Sequence, residues 1–125
     1  MKLIPYYFLI VVIATSCSTS NKLSRNTIEN NEKFAAEQYK ILMKNTPENV
    51  MPINYNPKTD KYQTGSVESW TSGFYPGSLW LIYKATKDPV IKEEAEKRLQ
   101  LEEKIKYFTG NHDIGFMIFC SFGTA

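Results

Sequence analysis

Between Gly73 and Lys87 the apolar residues Phe74, Leu79, Trp80, Leu81, Ile82 and Tyr83 leave almost no polar face, and this constrains the rest of the fold. A helix that is hydrophobic on nearly every side has to be covered all round, so the flanking segments must supply other elements to pack on it. From about Asn26 to Lys44, the residues Ile28, Ala35, Tyr39 and Leu42, with Phe34 and Ile41 beside them, recur at helical spacing. That pattern predicts an amphipathic helix, with Asn26 and Glu29 placed to cap its start. Thr46-Pro47 ends it, because the pyrrolidine ring removes a donor and disfavours a helical residue before it.

Asp88-Pro89 opens another helix, with an aspartate at the N-cap and proline at the first helical position. Its apolar stripe is Ile91, Ala95 and Leu99, continued by Ile105 and Phe108. The opposite face is expected to be solvated. It carries Glu93 with Lys97, Glu94 with Arg98 and Glu102 with Lys106, acid first, pairs worth only about 0.2–0.5 kcal/mol each. Pro52 to Ser66 is rich in Pro, Asn, Asp and Gly, which predicts a long irregular loop, and such loops are often functional. Thr109-Gly110-Asn111 breaks the chain again before the apolar segment Asp113 to Phe122. The expected fold class is all-α.

The N-terminus reads differently. Met1-Lys2 precedes an apolar run from Leu3 to Ala14 and the small residues Ala14-Thr15-Ser16, directly before Cys17. A short positive end, an apolar core and small residues at a cut site describe a secretory signal peptide. Cys17 at the cut is expected to be the lipid attachment site. The other reading is an ordinary signal peptide that leaves Cys17 an incidental thiol. Either way the protein is expected to be exported, and with the lipid it would be held at a membrane in the periplasm or outer membrane. Residues 1–16 are then the signal, 17–25 a polar flexible tether beginning Ser18-Thr19-Ser20-Asn21, and 26–125 the folded part.

The formal net charge of the chain is +2, and acids and bases alternate along it. No basic stripe exists to neutralise phosphates, so nucleic acid is excluded as an expected partner. His112 is the sole histidine and no Cys-x-x-Cys or His-Glu pattern is present, so no metal site or cofactor is expected. No Gly-x-Ser-x-Gly elbow supports serine-hydrolase chemistry. Cys120 is expected to be a small buried hydrophobe.

Two segments carry a resemblance. Trp70-Thr71-Ser72-Gly73-Phe74-Tyr75-Pro76-Gly77-Ser78-Leu79-Trp80-Leu81-Ile82-Tyr83 and Asn111-His112-Asp113-Ile114-Gly115-Phe116-Met117, continued by Ile118-Phe119-Cys120-Ser121-Phe122-Gly123, resemble, in this order, the two signatures of glycoside hydrolase family 88, the unsaturated glucuronyl hydrolases. The resemblance implies an (α/α)6 barrel, of which residues 26–125 would be the N-terminal third. It also implies removal of the unsaturated uronic acid that polysaccharide lyases leave on glycosaminoglycan-type oligosaccharides, by hydration of the C4–C5 double bond. A carboxylic acid protonates C4, water adds at C5, and the hemiketal collapses to release the sugar. Ordinary glycoside hydrolysis instead places two carboxylates about the anomeric centre.

Asp113 matches the first of the family's two catalytic aspartates. The second lies further along the family sequence than this chain reaches, so the chain is expected to be truncated and inactive by itself. The resemblance also places Trp70 and His112 in the substrate cleft.

Each of these residues has a plainer reading. Asp113, in an apolar run, must find a partner or hold its proton; as a catalytic acid it would need such surroundings, and otherwise it is a helix N-cap after Asn111. His112 either lines a sugar subsite or is an ordinary hydrogen-bonding side chain. Trp70, at a loop edge, can stack on a pyranose face or pack on protein, whereas Trp80 is expected in the core. Gly73 and Gly77 are expected to permit close backbone approach. The alternative function is a non-catalytic exported lipoprotein that binds glycan or a partner protein.

Overall fold

The computed structural model describes residues 23–125; the signal segment, Cys17 and the first part of the tether lie outside the described residues. The element order is α1 (Arg25–Lys44), β1 (Met51–Asn56), β2 (Lys61–Gly65), α2 (Phe74–Thr86), α3 (Pro89–Glu102), a 3-10 turn (Glu103–Ile105) and α4 (Ile114–Ser121). The molecule is mostly helical, and the all-α expectation is corrected by one antiparallel hairpin.

The hairpin replaces the expected irregular loop. Its register pairs Met51 with Gly65, Tyr55 with Tyr62 and Asn56 with Lys61, with a bulge between Pro52 and Asn54. The rings of Tyr55 and Tyr62 meet at 5.2 Å across the strands, the kind of cross-strand pair that stabilises a ladder. Turn residues gather at its tip, where Lys58 N–H donates to Asn56 Oδ1 at 3.0 Å and the Tyr55 hydroxyl donates to Asp60 Oδ1 at 2.6 Å. Asp60 adopts φ 53°, a left-handed conformation that Asp tolerates better than most residues.

Helix α1 starts one residue before the expected Asn26 and is capped by Ser24, whose Oγ accepts from Thr27 N–H at 3.1 Å. Glu29 pairs with Arg25 instead of closing a capping box. At the other end Asn45 and Thr46 side chains donate to the carbonyls of Ile41 and Leu42, satisfying acceptors that a helix C-terminus leaves free. Asp88 caps α3 as its sequence predicts, accepting from Val90 N–H at 2.9 Å, and it also binds Lys40 of α1 at 2.7 Å.

The core consists of Ala36, Met51, Tyr75, Leu79, Ile91 and Ala95, with Tyr39, Leu42, Met43 and Trp80 packed partly against it. Two expectations are corrected here. Helix α2 is not covered all round, since Leu81 and Phe74 are exposed. The polar face expected of α3 is split: Glu93 and Lys97 do pair in solvent, but Glu94, Arg98 and Glu102 are buried, and Lys106 pairs with Glu103 instead of Glu102. Arg98 Nε donates to Glu94 at 2.7 Å, and its Nη1 donates to the carbonyls of Pro47, Glu48 and Val50. Among the described residues no helix is long and apolar enough to cross a membrane.

Candidate functional site

The two sequence segments singled out above fold onto each other. Helix α2 begins after a tight turn in which Ser72 N–H donates to Ser69 O at 2.9 Å and Phe74 N–H to Thr71 O at 3.1 Å. Helix α4 begins after an Asx turn in which Asp113 N–H donates to Asn111 Oδ1 at 2.9 Å. Gly73 and Gly77 join the two: a Cβ on the first would strike the Met117 carbonyl, and a Cβ on the second the Cys120 carbonyl. The glycines therefore let the α2 backbone lie directly on that of α4, the close approach expected of them. Because residue 73 meets 117 and residue 77 meets 120, the helices run in the same sense. Their preceding turns, with Trp70 on one and His112-Asp113 on the other, thus sit at the same end of the pair.

Side-chain hydrogen bonds tighten α4 and its C-terminal turn, and one from α2 reaches that turn. Ser121 Oγ donates to Met117 O at 2.7 Å and Thr124 Oγ1 to Cys120 O at 2.8 Å. Lys84 of α2 reaches the Thr124 carbonyl. Met117 is buried at this contact, whereas Cys120 is only half-buried, correcting the expectation of a fully buried thiol.

Asp113 stands at the N-cap position of α4, yet its side chain makes no capping hydrogen bond. Its carboxylate is 27% exposed and lies 3.4 Å from Nε2 of His112, itself 94% exposed. Together with Gly115, Phe116 and Phe119 the two line a shallow open depression. Exposed aromatic rings beside a carboxylate not spent on the helix cap can pack on a sugar face while the carboxylate remains available for proton chemistry.

Trp70 does not line that depression. It is 53% exposed and packs edge-on against Phe74, with centroids 5.9 Å apart. Phe74 continues into a second groove of about 300 Å³ formed with Tyr39, Tyr55, Tyr62 and Tyr75. The structure thus brings His112 and Asp113 together and sets Trp70 apart from them. Trp80, expected in the core, is only partly buried, and its indole N–H has no partner among the described residues. Among the described residues no group of three or more His, Cys, Asp or Glu side chains is placed to hold a metal ion.

Two buried groups near this site escape the residue-by-residue reading. Ser72 and Glu102 are both 0% exposed, and neither has a hydrogen-bond partner among the described residues. Burial raises the Glu102 carboxyl to about 7, with the Ser72 hydroxyl pulling weakly the other way. The signal for Glu102 was present in the sequence. Ile91, Ala95, Arg98, Glu102 and Ile105 follow one another at three- and four-residue steps, so Glu102 lies on the buried stripe despite its charge.

No protein-family model matches the chain. Its similarity to unsaturated glucuronyl hydrolases is nevertheless shown in sequence and in fold. It is 46% identical over 56 residues to an unsaturated glucuronyl hydrolase of Formosa agariphila, covering 45% of this chain and 14% of that protein. It is 36% identical over 62 residues to one from Bacillus sp. strain GL1, covering 47% of this chain and 16% of the relative. A crystal structure of an unsaturated glucuronyl hydrolase specific for heparin superposes with a TM-score of 0.73 at 28% identity, covering 82% of this chain and 27% of that one. The matched stretches thus span a small part of each relative's own length.

Proposed function

We propose that a protein carrying this stretch removes unsaturated glucuronyl residues from lyase-generated glycosaminoglycan-type oligosaccharides by hydrating their C4–C5 double bond, and that residues 26–125 are the N-terminal part of an (α/α)6 barrel. The observation that carries the reading is the packing of the Trp70–Tyr83 segment directly on the Asn111–Gly123 segment through Gly73 and Gly77. The sequence similarity and the structural neighbour support it.

Asp113 is the proposed catalytic carboxylate. It is accessible, unused by the helix cap and flanked by exposed rings. His112 and Trp70 are proposed to bind the sugar, the imidazole beside the carboxylate and the indole at the same end of the helix pair. Hydration requires protonation at C4 and delivery of water to C5, so a further acid/base group has to act with Asp113 in the working protein. The heparin specificity of the structural neighbour favours heparin-type fragments as the first substrates to try.

Export and lipid anchoring at Cys17 belong to the same proposal, motivated by the apolar run before that cysteine. Unchanged processing and membrane association in Cys17→Ser would remove the anchor from it. For the activity, the test is incubation with unsaturated heparin and chondroitin disaccharides. The enzyme is expected to abolish the ultraviolet absorbance of their conjugated double bond. Saturable binding with unchanged absorbance would instead favour the non-catalytic glycan-binding alternative, for which the exposed Trp70, Phe116 and Phe119 are the supporting observation.

A further inference from the structure

The buried end of α3 holds an acid that the proposed hydration does not use. Glu102 is wholly buried, with both carboxylate oxygens lacking a partner among the described residues. The Ser72 hydroxyl beside it is equally buried and is committed to no other group, which leaves it to donate to the Glu102 carboxyl. A buried polar group left without a hydrogen bond is costly, and a buried ionised one more so. A neutral carboxyl needs little more than one hydroxyl can give, whereas a carboxylate offers about four acceptor sites.

No counter-charge among the described residues is aimed at Glu102. On α3, Arg98 is committed to Glu94 and to three backbone carbonyls; beyond it, Lys104 of the 3-10 turn is exposed and Lys106 after that turn pairs with Glu103. On α2, Lys84 donates to the Thr124 carbonyl, the Tyr75 hydroxyl to Glu94, and the Tyr83 ring lies under Lys87 and Lys92. On α1, Lys40 is shared by Glu37 and Asp88. Helix α4 has Cys120 as its one ionisable side chain.

The position of the pair gives it influence over the neighbouring turn. Ser72 immediately precedes Gly73, which seats the turn on the Met117 backbone, and it lies two residues after Trp70. We propose that Glu102 and Ser72 form a proton-operated latch beneath the Trp70–Gly73 turn: the neutral acid keeps the turn seated on α4, and the carboxylate, which one hydroxyl cannot satisfy, opens it to water. As a regulator of sugar binding the latch rests on the proposed function, but as a property of the fold it does not.

Carboxyl-carbon NMR of the full chain, followed from about pH 4 to about pH 9, spans the ordinary range for glutamates and well above it. Glu102 is expected to titrate near neutrality, and the Trp70 indole N–H resonance to move with the same midpoint. In Glu102→Gln the indole signal becomes independent of pH over that interval. In Ser72→Ala the Glu102 midpoint rises, because a donor to the carboxylate is lost. The latch is overturned if Glu102 titrates with the exposed glutamates, or if Trp70 follows pH equally in Glu102→Gln. Should that variant not fold, an unchanged midpoint in Ser72→Ala overturns it. The outcome is independent of turnover, so an inactive protein with this titration loses the proposed activity and keeps the latch.

Discussion

The Arg98 guanidinium donates to Glu94 and to the carbonyls of Pro47, Glu48 and Val50, and its carbon end lies 5.5 Å from the Tyr75 ring centroid. It therefore ties α3 to the chain that leads from α1 into the hairpin. Removing it strands a buried carboxylate and three acceptors, so Arg98→Met is expected to cost about 3–5 kcal/mol, the range for breaking a buried pair from one side. Chemical denaturation measures this, and a loss below about 1 kcal/mol, typical of an exposed pair, would contradict the burial. Glu102 gives the opposite sign of pH dependence from an ordinary paired acid. Its folded-state value is raised from 4.5 to about 7, so its stabilising contribution is complete below about pH 4.5 and is lost as pH rises through about 7. Asp88, lowered by Lys40, contributes above the usual carboxylate range and is lost on acidification. Melting temperature is expected to fall between pH 5 and pH 8, the interval that contains the raised Glu102 value, and Glu102→Gln to flatten that fall.

At the scale of elements, Gly73 and Gly77 are where two helices touch backbone to backbone. Gly73→Ala or Gly77→Ala forces α2 off α4, with an expected loss of about 1–3 kcal/mol from overpacking; a wild-type melting curve for both variants would rule the contact out. Helix α2 ends at Lys87 in the left-handed region, φ 59°, a C-terminal position that glycine occupies without strain. Lys87→Gly is expected to gain up to about 1 kcal/mol, reduced by the loss of its contact with Tyr83, and thermal melting reads the sign. The helices were legible because proline and capping residues mark their ends: Asp88-Pro89 opens α3 and Thr46-Pro47 follows the end of α1. The hairpin was hidden because Asn56, Pro57 and Asp60 gather at its tip while Pro52 and Asn54 sit within β1 at the bulge, so turn formers spread over the whole span obscured the Tyr55–Tyr62 pair. Of the site, the neighbourhood of His112 and Asp113 followed from their adjacency. The burial of Glu94, Arg98 and Glu102 depends on how α3 rotates against its neighbours, which residue type alone misjudged.

Across the whole molecule, Phe34, Leu81, Phe116, Phe119 and Phe122 present large apolar side chains to solvent. Large apolar side chains exposed in this number favour association. Residues 23–125 expressed alone are expected to self-associate or bind a hydrophobic dye, and a sharp cooperative melt with a monomeric hydrodynamic radius would contradict that. The proposed role of the α2–α4 pair is to present Asp113 as a catalytic carboxylate. It is tested most directly by the turnover of unsaturated disaccharides by a protein carrying this stretch and by its Asp113→Asn variant. The variant is expected to fold and to bind the disaccharide as the parent does while kcat falls by at least about 100-fold, the lower end of what a positioned acid/base contributes. Parental kcat in Asp113→Asn would contradict that role.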